Sequence, residues 1–305
     1  MAGKGRKPCH TRVMRVIRSV PLPETHPDYP IVKRIEHALA GRVGGLGKLK
    51  QELPSLIRQA IDEVIDTPRT GRVYANELEK TEKTYIGTKV EILVRNFFRL
   101  PKGILDLKID GLDVDVKNTL GSTWMIPREA VGMPCILVAS DEDSQTCFFG
   151  VFVAHLTNLT AGLNQDQKRS VSAAGFDNIH WLLTEEPYPP SFWSIVGEAK
   201  THKIMRGTTG NERVSSLFRE TQKIPVHRDI VQAVAQQKDY MKRLRKNGGA
   251  RDLLAREGVA ILSGNYDRSL ISQLGLGSVE KDEFISYKPT SAADVAILKA
   301  ENKID

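Results

Sequence analysis

The 305-residue sequence has only three cysteines, Cys9, Cys135 and Cys147, and no two stand in CxxC spacing. That argues against a disulfide framework and a Cys-rich zinc site, and fits a reducing interior. The seven histidines are scattered, with no HxH or HExxH spacing, which disfavours a zinc hydrolase. Long apolar runs are missing too: the longest apolar-rich stretch, Cys147 to Leu156, is about half the length needed to cross a bilayer. No apolar segment with a small-residue cleavage site follows the basic start, so a cytoplasmic protein without a membrane partner is expected. Internal repeats and low-complexity tracts are also lacking. With 40% apolar and 27% charged residues the composition is that of a globular chain, long enough for one large domain or two ordinary ones.

What is present is positive charge, concentrated in two places. Residues 1–20 hold Lys4, Arg6, Lys7, Arg12, Arg15 and Arg18 with no acid, and residues 200–257 hold fourteen Lys and Arg against six Asp and Glu. The formal net charge is +7, so the remainder of the chain is net acidic. Such a division describes a polyanion binder with an acidic site, and equally a solubilising tail and a solvated helix face.

Residues 1–30 read as a flexible basic arm ending in a Pro-rich turn. Helical spacing follows over about 31–39 and 49–65, broken by Gly44, Gly45 and Gly47. The run Gly44-Gly45-Leu46-Gly47-Lys48 fails as a phosphate loop, because Arg42 occupies the first glycine position and Leu49 replaces the magnesium-reaching Ser or Thr. An amphipathic helix is predicted over 84–99, with Val90, Leu93, Val94, Phe97 and Phe98 on one stripe and Pro101 and Gly103 as its stop. Strands are expected at 104–109, 112–117, 134–139 and 146–154. The acidic, Pro-rich stretch 184–192 reads as a linker. Beyond it, helices are expected at 211–222 and 227–246, then Gly248-Gly249, a short helix and an apolar strand at 259–263. That order is compatible with a helix-turn-helix or winged-helix module, and also with a plain helical bundle.

The two strands joined by Asp110-Gly111 carry the chemistry. A two-residue turn pairs Ile109 with Leu112, Leu107 with Val114, Lys108 with Asp113, and Asp106 with Asp115. Directly opposed residues have Cβ atoms roughly 4.5–5.5 Å apart, so two carboxylates meet and need a compensating charge. Lys117, on the same face as Asp115, supplies one positive charge, and a divalent metal would supply more. Oxygen ligands without soft donors favour Mg2+, which also takes a phosphate oxygen. Glu91, at the edge of the preceding helix stripe, stands where it would reach such a metal. Glu91, Asp106, Asp115 and Lys117 thus have the parts for metal-assisted phosphodiester hydrolysis. A solvent-facing hairpin with scattered charges fits the same pattern.

A resemblance separates the two. The segments Lys80-Thr81-Glu82-Lys83-Thr84, Gly87-Thr88, Val90-Glu91-Ile92, Gly111, Val114-Asp115 with Lys117, and Trp124-Met125-Ile126-Pro127 resemble the NaeI restriction endonuclease family. So do Val234-Ala235-Gln236-Gln237, Met241-Lys242-Arg243, Gly248-Gly249-Ala250-Arg251 and Glu257-Gly258, in the same order, the likeness running from roughly Arg69 to Gly264. The resemblance implies a two-domain α/β (α+β) chain: an endonuclease domain of the PD-(D/E)xK type over 31–183, a linker at 184–192, and a mainly helical, winged-helix effector domain over 193–305. It implies a homodimeric, cytoplasmic bacterial type II restriction endonuclease, dependent on Mg2+ and activated by a second copy of double-stranded DNA. The family's metal-site acids match Glu91, Asp106 and Asp115, and its lysine matches Lys117. Two departures are Val116 between Asp115 and Lys117, and a Glu91-to-Asp106 spacing one residue shorter. Lys242, Arg243, Arg245, Lys246 and Arg251, clustered around the Gly-Gly turn, are the candidate effector-DNA contacts. A mismatch-repair-type nickase and a non-cleaving DNA-binding regulator are the competing readings.

Overall fold

The computed structural model describes residues 22–305, so the basic arm predicted for 1–30 lies mostly outside the described residues. The chain forms two compact units, one from 22–65 with 74–191 and one from 66–73 with 192–305.

The first unit opens with helices α1 (Tyr29–Val43) and α2 (Leu46–Ile65). Between them Gly44 and Gly45 take φ values of 85° and 113°, which only glycine adopts freely, so the Gly-rich run is a helix–helix turn. The short α3 (Thr67–Thr70) falls in the second unit. Helix α4 (Lys80–Phe97) begins four residues earlier than its apolar stripe suggests. The Glu79 N–H donates to Glu82 Oε2 at 2.9 Å, and this capping contact recruits the polar Lys80–Lys83 turn into the helix.

Seven strands follow, with one short helix before the last: β1 (Leu107–Ile109), β2 (Leu112–Thr119), β3 (Met125–Ile126), β4 (Pro134–Asp141), β5 (Thr146–Val153), β6 (Arg169–Ser170), α5 (Ala173–Phe176) and β7 (His180–Pro187). Five of them form a sheet of order β1-β2-β4-β5-β7, in which β2 and β4 run parallel and the other neighbours antiparallel; β3 and β6 pair as a separate ribbon. The β1–β2 turn has φ 47° at Asp110 and 84° at Gly111, the two positive values of a type I′ turn. It sets the expected register: Leu107 opposite Val114, Lys108 opposite Asp113, and Ile109 opposite Leu112.

Alternation along the central strands sorts their side chains into two cores. Ile136 and Val138 of β4 join Phe149 and Val151 of β5 in a core with Leu39, Ile57, Val90 and Val94 from the helices. Cys135, Leu137, Phe148 and Phe152 point the other way, into a core around Trp124 and Phe176. Burial on both faces explains why β4 and β5 read as continuous apolar runs. Strand β7 runs through Pro187, so the acidic 184–187 segment is sheet edge and only 188–191 precede the next helix. Proline is tolerated there because it ends an edge strand.

The second unit holds α6 (Phe192–Val196), α7 (Glu198–Met205), α8 (Gly210–Glu220), β8 (Val226–His227), α9 (Arg228–Ala235), α10 (Ala250–Ala255), β9 (Ala260–Ser263), α11 (Arg268–Gln273), β10 (Glu283–Tyr287) and α12 (Ala292–Ala300). Its sheet is antiparallel with order β8-β10-β9. The helix expected over 227–246 ends at Ala235, because Gln236 turns left-handed (φ 53°) and the polar Gln237-Lys238-Asp239 stretch offers no apolar face to continue it. The excursion 66–73 belongs here: Val73 is buried in this unit's core, and Gln236 Nε2 donates to the Pro68 carbonyl at 2.8 Å. Among the described residues no helix is long and apolar enough to cross a membrane.

In the first unit, buried Glu36 accepts from Lys33 Nζ at 2.7 Å and lies 2.6 Å from His180 Nε2. Desolvation opposes its ionisation, but the Lys33 and His180 contacts prevail and hold its carboxyl below the usual range. A depressed carboxylate adds stability that is present above the unfolded-state pKa and lost as pH falls through the folded one. Glu36→Gln is therefore expected to lower the unfolding free energy at neutral pH by on the order of 1 kcal/mol, read from denaturant titration, with the gap to wild type closing in acid. An equal gap at both pH values would remove ionised Glu36 as the cause.

Candidate active site

The β1–β2 hairpin and α4 bring the four sequence-derived residues of the first unit together. Val114 and Val116 are buried in the helix-side core, so β2 presents Asp115 and Lys117 on its opposite face. Lys117 Nζ lies 2.7 Å from Asp115 Oδ1 and 3.5 Å from Asp106 Oδ2. Asp106 sits just before the ladder proper, where its Oδ2 accepts the Val116 N–H at 2.8 Å. The carboxyl groups of Asp106 and Asp115 stand within hydrogen-bond reach of each other, and Glu91 within reach of Asp106.

One ammonium thus serves three carboxyl groups, and the electrostatics record the shortage. Burial and the neighbouring Asp106 push Asp115 up to about 7, against the pull of Lys117. Desolvation, then the charge of Asp106, raises Glu91. Asp106 also loses solvation, yet its hydrogen bonds from Asp115 and the Val116 N–H, with the Lys117 charge, hold it low. Lys117 stays firmly protonated: Asp115 and Asp106 outweigh its desolvation.

The donor set fits a hard cation. Every donor is an oxygen, and Asp115 Oδ2 is buried without a hydrogen-bond donor to meet it. Among the described residues no three His, Cys, Asp or Glu side chains form a ready cage. Mg2+ does not need one, since it is commonly held by one or two carboxylates with waters and a substrate phosphate completing its shell.

The cluster opens into a groove of about 980 Å³ within the first unit. Glu91, Lys117 and Asn118 lie along it, the first turns of α4 bring Lys80 and Lys83, and Asn164, Asp166 and Lys168 come from the loop before β6. Sequence reasoning missed the last three and Asn118, whose Oδ1 is buried without a partner. Nothing in the spacing of the three loop residues marks them, because a loop wall has no periodicity, and Asn118 lies on β2 just past the predicted end of that strand at 117.

The basic candidates of the second unit are dispersed. On the turn Tyr240–Arg243, the exposed Lys242 pairs with Asp239 at 2.7 Å, and the half-buried Arg243 donates from Nε to Gln237 Oε1 at 2.6 Å. Arg245 and Arg251 share a hollow with Arg228, Lys281, Tyr240 and the exposed Tyr266. Lys246 lines a second hollow beside Arg251, together with Arg256 and Lys303. Arg251 thus borders both, and its Nε is buried without a partner. Arg228, Arg256, Lys281 and Lys303 also line these hollows and carry no signal in the sequence; the last two lie beyond Gly264, where the resemblance ends.

Comparison with known proteins agrees over both units and extends that range. The family model of restriction endonuclease NaeI matches residues 50–296. The type II restriction enzyme NaeI of Lentzea aerocolonigenes is 31% identical over 247 residues, covering 78% of this chain and 78% of that protein. The chain belongs to the restriction endonuclease NaeI family.

Proposed function

We propose that this protein cuts both strands of DNA at a specific sequence, in a Mg2+-dependent reaction at Glu91, Asp106, Asp115 and Lys117, and that a second DNA copy bound by the second unit activates it. As a member of its family it is a type II restriction endonuclease, a site-specific deoxyribonuclease. The observation that carries the reading is the buried Asp115 carboxylate beside Asp106, with Lys117 Nζ 2.7 Å away. Helices packed on a mixed sheet, with the two aspartates and the lysine at its first hairpin and Glu91 on the adjoining helix, support a PD-(D/E)xK core.

Asp115 and Asp106 would hold the metal, and Glu91 would hold it or position water. When bound, Mg2+ supplies positive charge opposite the scissile phosphate and lowers the pKa of water. Lys117, kept protonated by its carboxylate neighbours, orients the attacking water and offsets charge developing on the phosphate. Attack at phosphorus breaks the bond to the 3′ oxygen, leaving 5′-phosphate and 3′-hydroxyl ends. One cluster serves one strand, so a double-strand cut calls for two copies of the chain about a twofold axis.

In the second unit, the order α8, β8, α9, α10, β9, β10, with α11 inserted between the last two strands, and the sheet order β8-β10-β9 support a winged-helix reading. α10 then occupies the recognition-helix position, with Lys242, Arg243, Arg245 and Lys246 on the turn before it and Arg251 on it.

Asp115→Ala or Lys117→Ala should lower cleavage by on the order of 10³-fold, with DNA still retarded in a gel; cutting at the normal rate by either variant would overturn the assignment. Chelation of divalent metal should leave DNA intact, and sequencing of the ends in its presence should return one shared sequence. Nicks without paired cuts would favour a repair nickase, and retarded but uncut DNA, even with second-site oligonucleotide added, a regulator. Replacing Arg243 and Arg245 together by alanine should weaken activation by added oligonucleotide and reduce the salt dependence of binding. Unchanged activation and binding would remove them from the effector surface.

A further inference from the structure

The groove of the first unit carries four acids along its walls, and three have a duty within the protein. Glu77 Oε2 accepts the Tyr74 N–H at 2.7 Å. Glu79 caps α4, where free helix N–H groups favour an anion. Glu91 belongs to the carboxylate cluster. Asp166 is different: it is exposed, and among the described residues its carboxylate has no hydrogen bond or ion pair. Two residues on, the ammonium of Lys168 lines the same wall and is likewise unpaired, even with Asp166.

The loop that presents them is held firmly. Asn164 Oδ1 accepts the N–H groups of Asp166 and Lys168 at 2.9 and 2.8 Å. The Asn164 N–H donates to the Lys168 carbonyl at 2.9 Å, and that of Gln167 to the Asn164 carbonyl at 3.0 Å. Gln167 adopts a left-handed conformation (φ 58°) at the bend. At the base, Arg169 Nη1 donates to the carbonyls of Thr160 (2.8 Å) and Ala161, and the Thr160 N–H donates to the Ser170 carbonyl at 2.9 Å. The result is a turn pinned by its own hydrogen bonds, with two solvent-accessible groups of opposite charge, paired with no other side chain among the described residues, on the groove wall.

A DNA-lined groove gives an unpaired carboxylate few attractive partners. Phosphates repel it, whereas the exocyclic amino groups of cytosine and adenine donate to it, and guanine O6 and N7 accept from lysine. We infer that Asp166 and Lys168 are specificity-determining residues that read base edges of the substrate DNA, positioned by the Asn164 turn. This rests on the endonuclease reading of the same groove and adds to it the element that selects sequence. Preorganisation matters, because a reader frozen before contact loses little conformational entropy on binding and excludes near-miss geometries.

The test uses the full-length protein, Asp166→Asn and Lys168→Gln, each incubated with Mg2+ and duplexes randomised over the central positions, followed by sequencing of cut ends. In parallel, bound duplexes are selected without divalent metal and sequenced. Each variant is expected to lose discrimination at one base-pair position by on the order of tenfold, with other positions keeping their preference. An end-sequence profile identical to wild type, with only overall rate or salt dependence changed, would overturn the inference and make these residues phosphate contacts or bystanders. If wild type fails to cut but the variants still shift the selected sequence, the endonuclease reading falls and the base-reading role stands. If wild type neither cuts nor enriches any sequence, both fall.

Discussion

Burying a carboxylate next to another carboxylate is repulsive, and the first unit is organised around making it tolerable. Asp115 is 3% exposed, and its neighbours within reach are Asp106 and the Lys117 ammonium. The lysine and the Val116 N–H on Asp106 offset the repulsion, and the elevated Asp115 pKa shows that they do so incompletely. The arrangement persists because the backbone leaves no alternative. A type I′ turn sets the register, Val114 and Val116 are pinned in the core, and β4 runs beside β2 and holds its backbone. Remote apolar packing offsets local electrostatic strain, the usual exchange where chemistry requires an uncomfortable group.

The two sides of the groove do different work in physical terms. The α4 side is the start of a helix, with a first turn capped by acidic side chains and lysines on flexible stems. The loop side has no such repeat and satisfies its backbone through the Asn164 side chain. A flexible ammonium tolerates small errors in where a phosphate sits, whereas recognition of a donor or acceptor on a base demands a fixed frame. Rigidity is therefore placed where discrimination would be needed.

Much of the first unit was legible in the sequence because its signals are local. Asp110-Gly111 sets the hairpin, alternation sets its faces, and the Val90–Val94 stripe identifies α4. Those signals suffice to bring Glu91, Asp106, Asp115 and Lys117 onto adjoining elements. Three things were not legible. The end of β7, residues 184–187, reads as part of a linker because Glu185, Glu186 and Pro187 are poor strand formers, and only pairing with β5 overrides them. The helix over 227–246 broke at Gln236, whose left-handed turn no composition rule requires. The loop bearing Asp166 and Lys168 carries no pattern at all; its importance comes from what the fold sets it beside.

The excursion of residues 66–73 has a consequence for how the protein can be taken apart. The second unit is not a contiguous stretch of chain: it borrows Val73, 2% exposed, and the Pro68 carbonyl from the middle of the first. A fragment starting at Phe192 would expose the apolar pocket that Val73 fills and orphan the Gln236 amide. Recombination that exchanged the C-terminal portion between relatives would need to carry this eight-residue insert along, or reproduce its contacts. The two units are thus heritable as a pair, sewn together by the chain passing between them more than once.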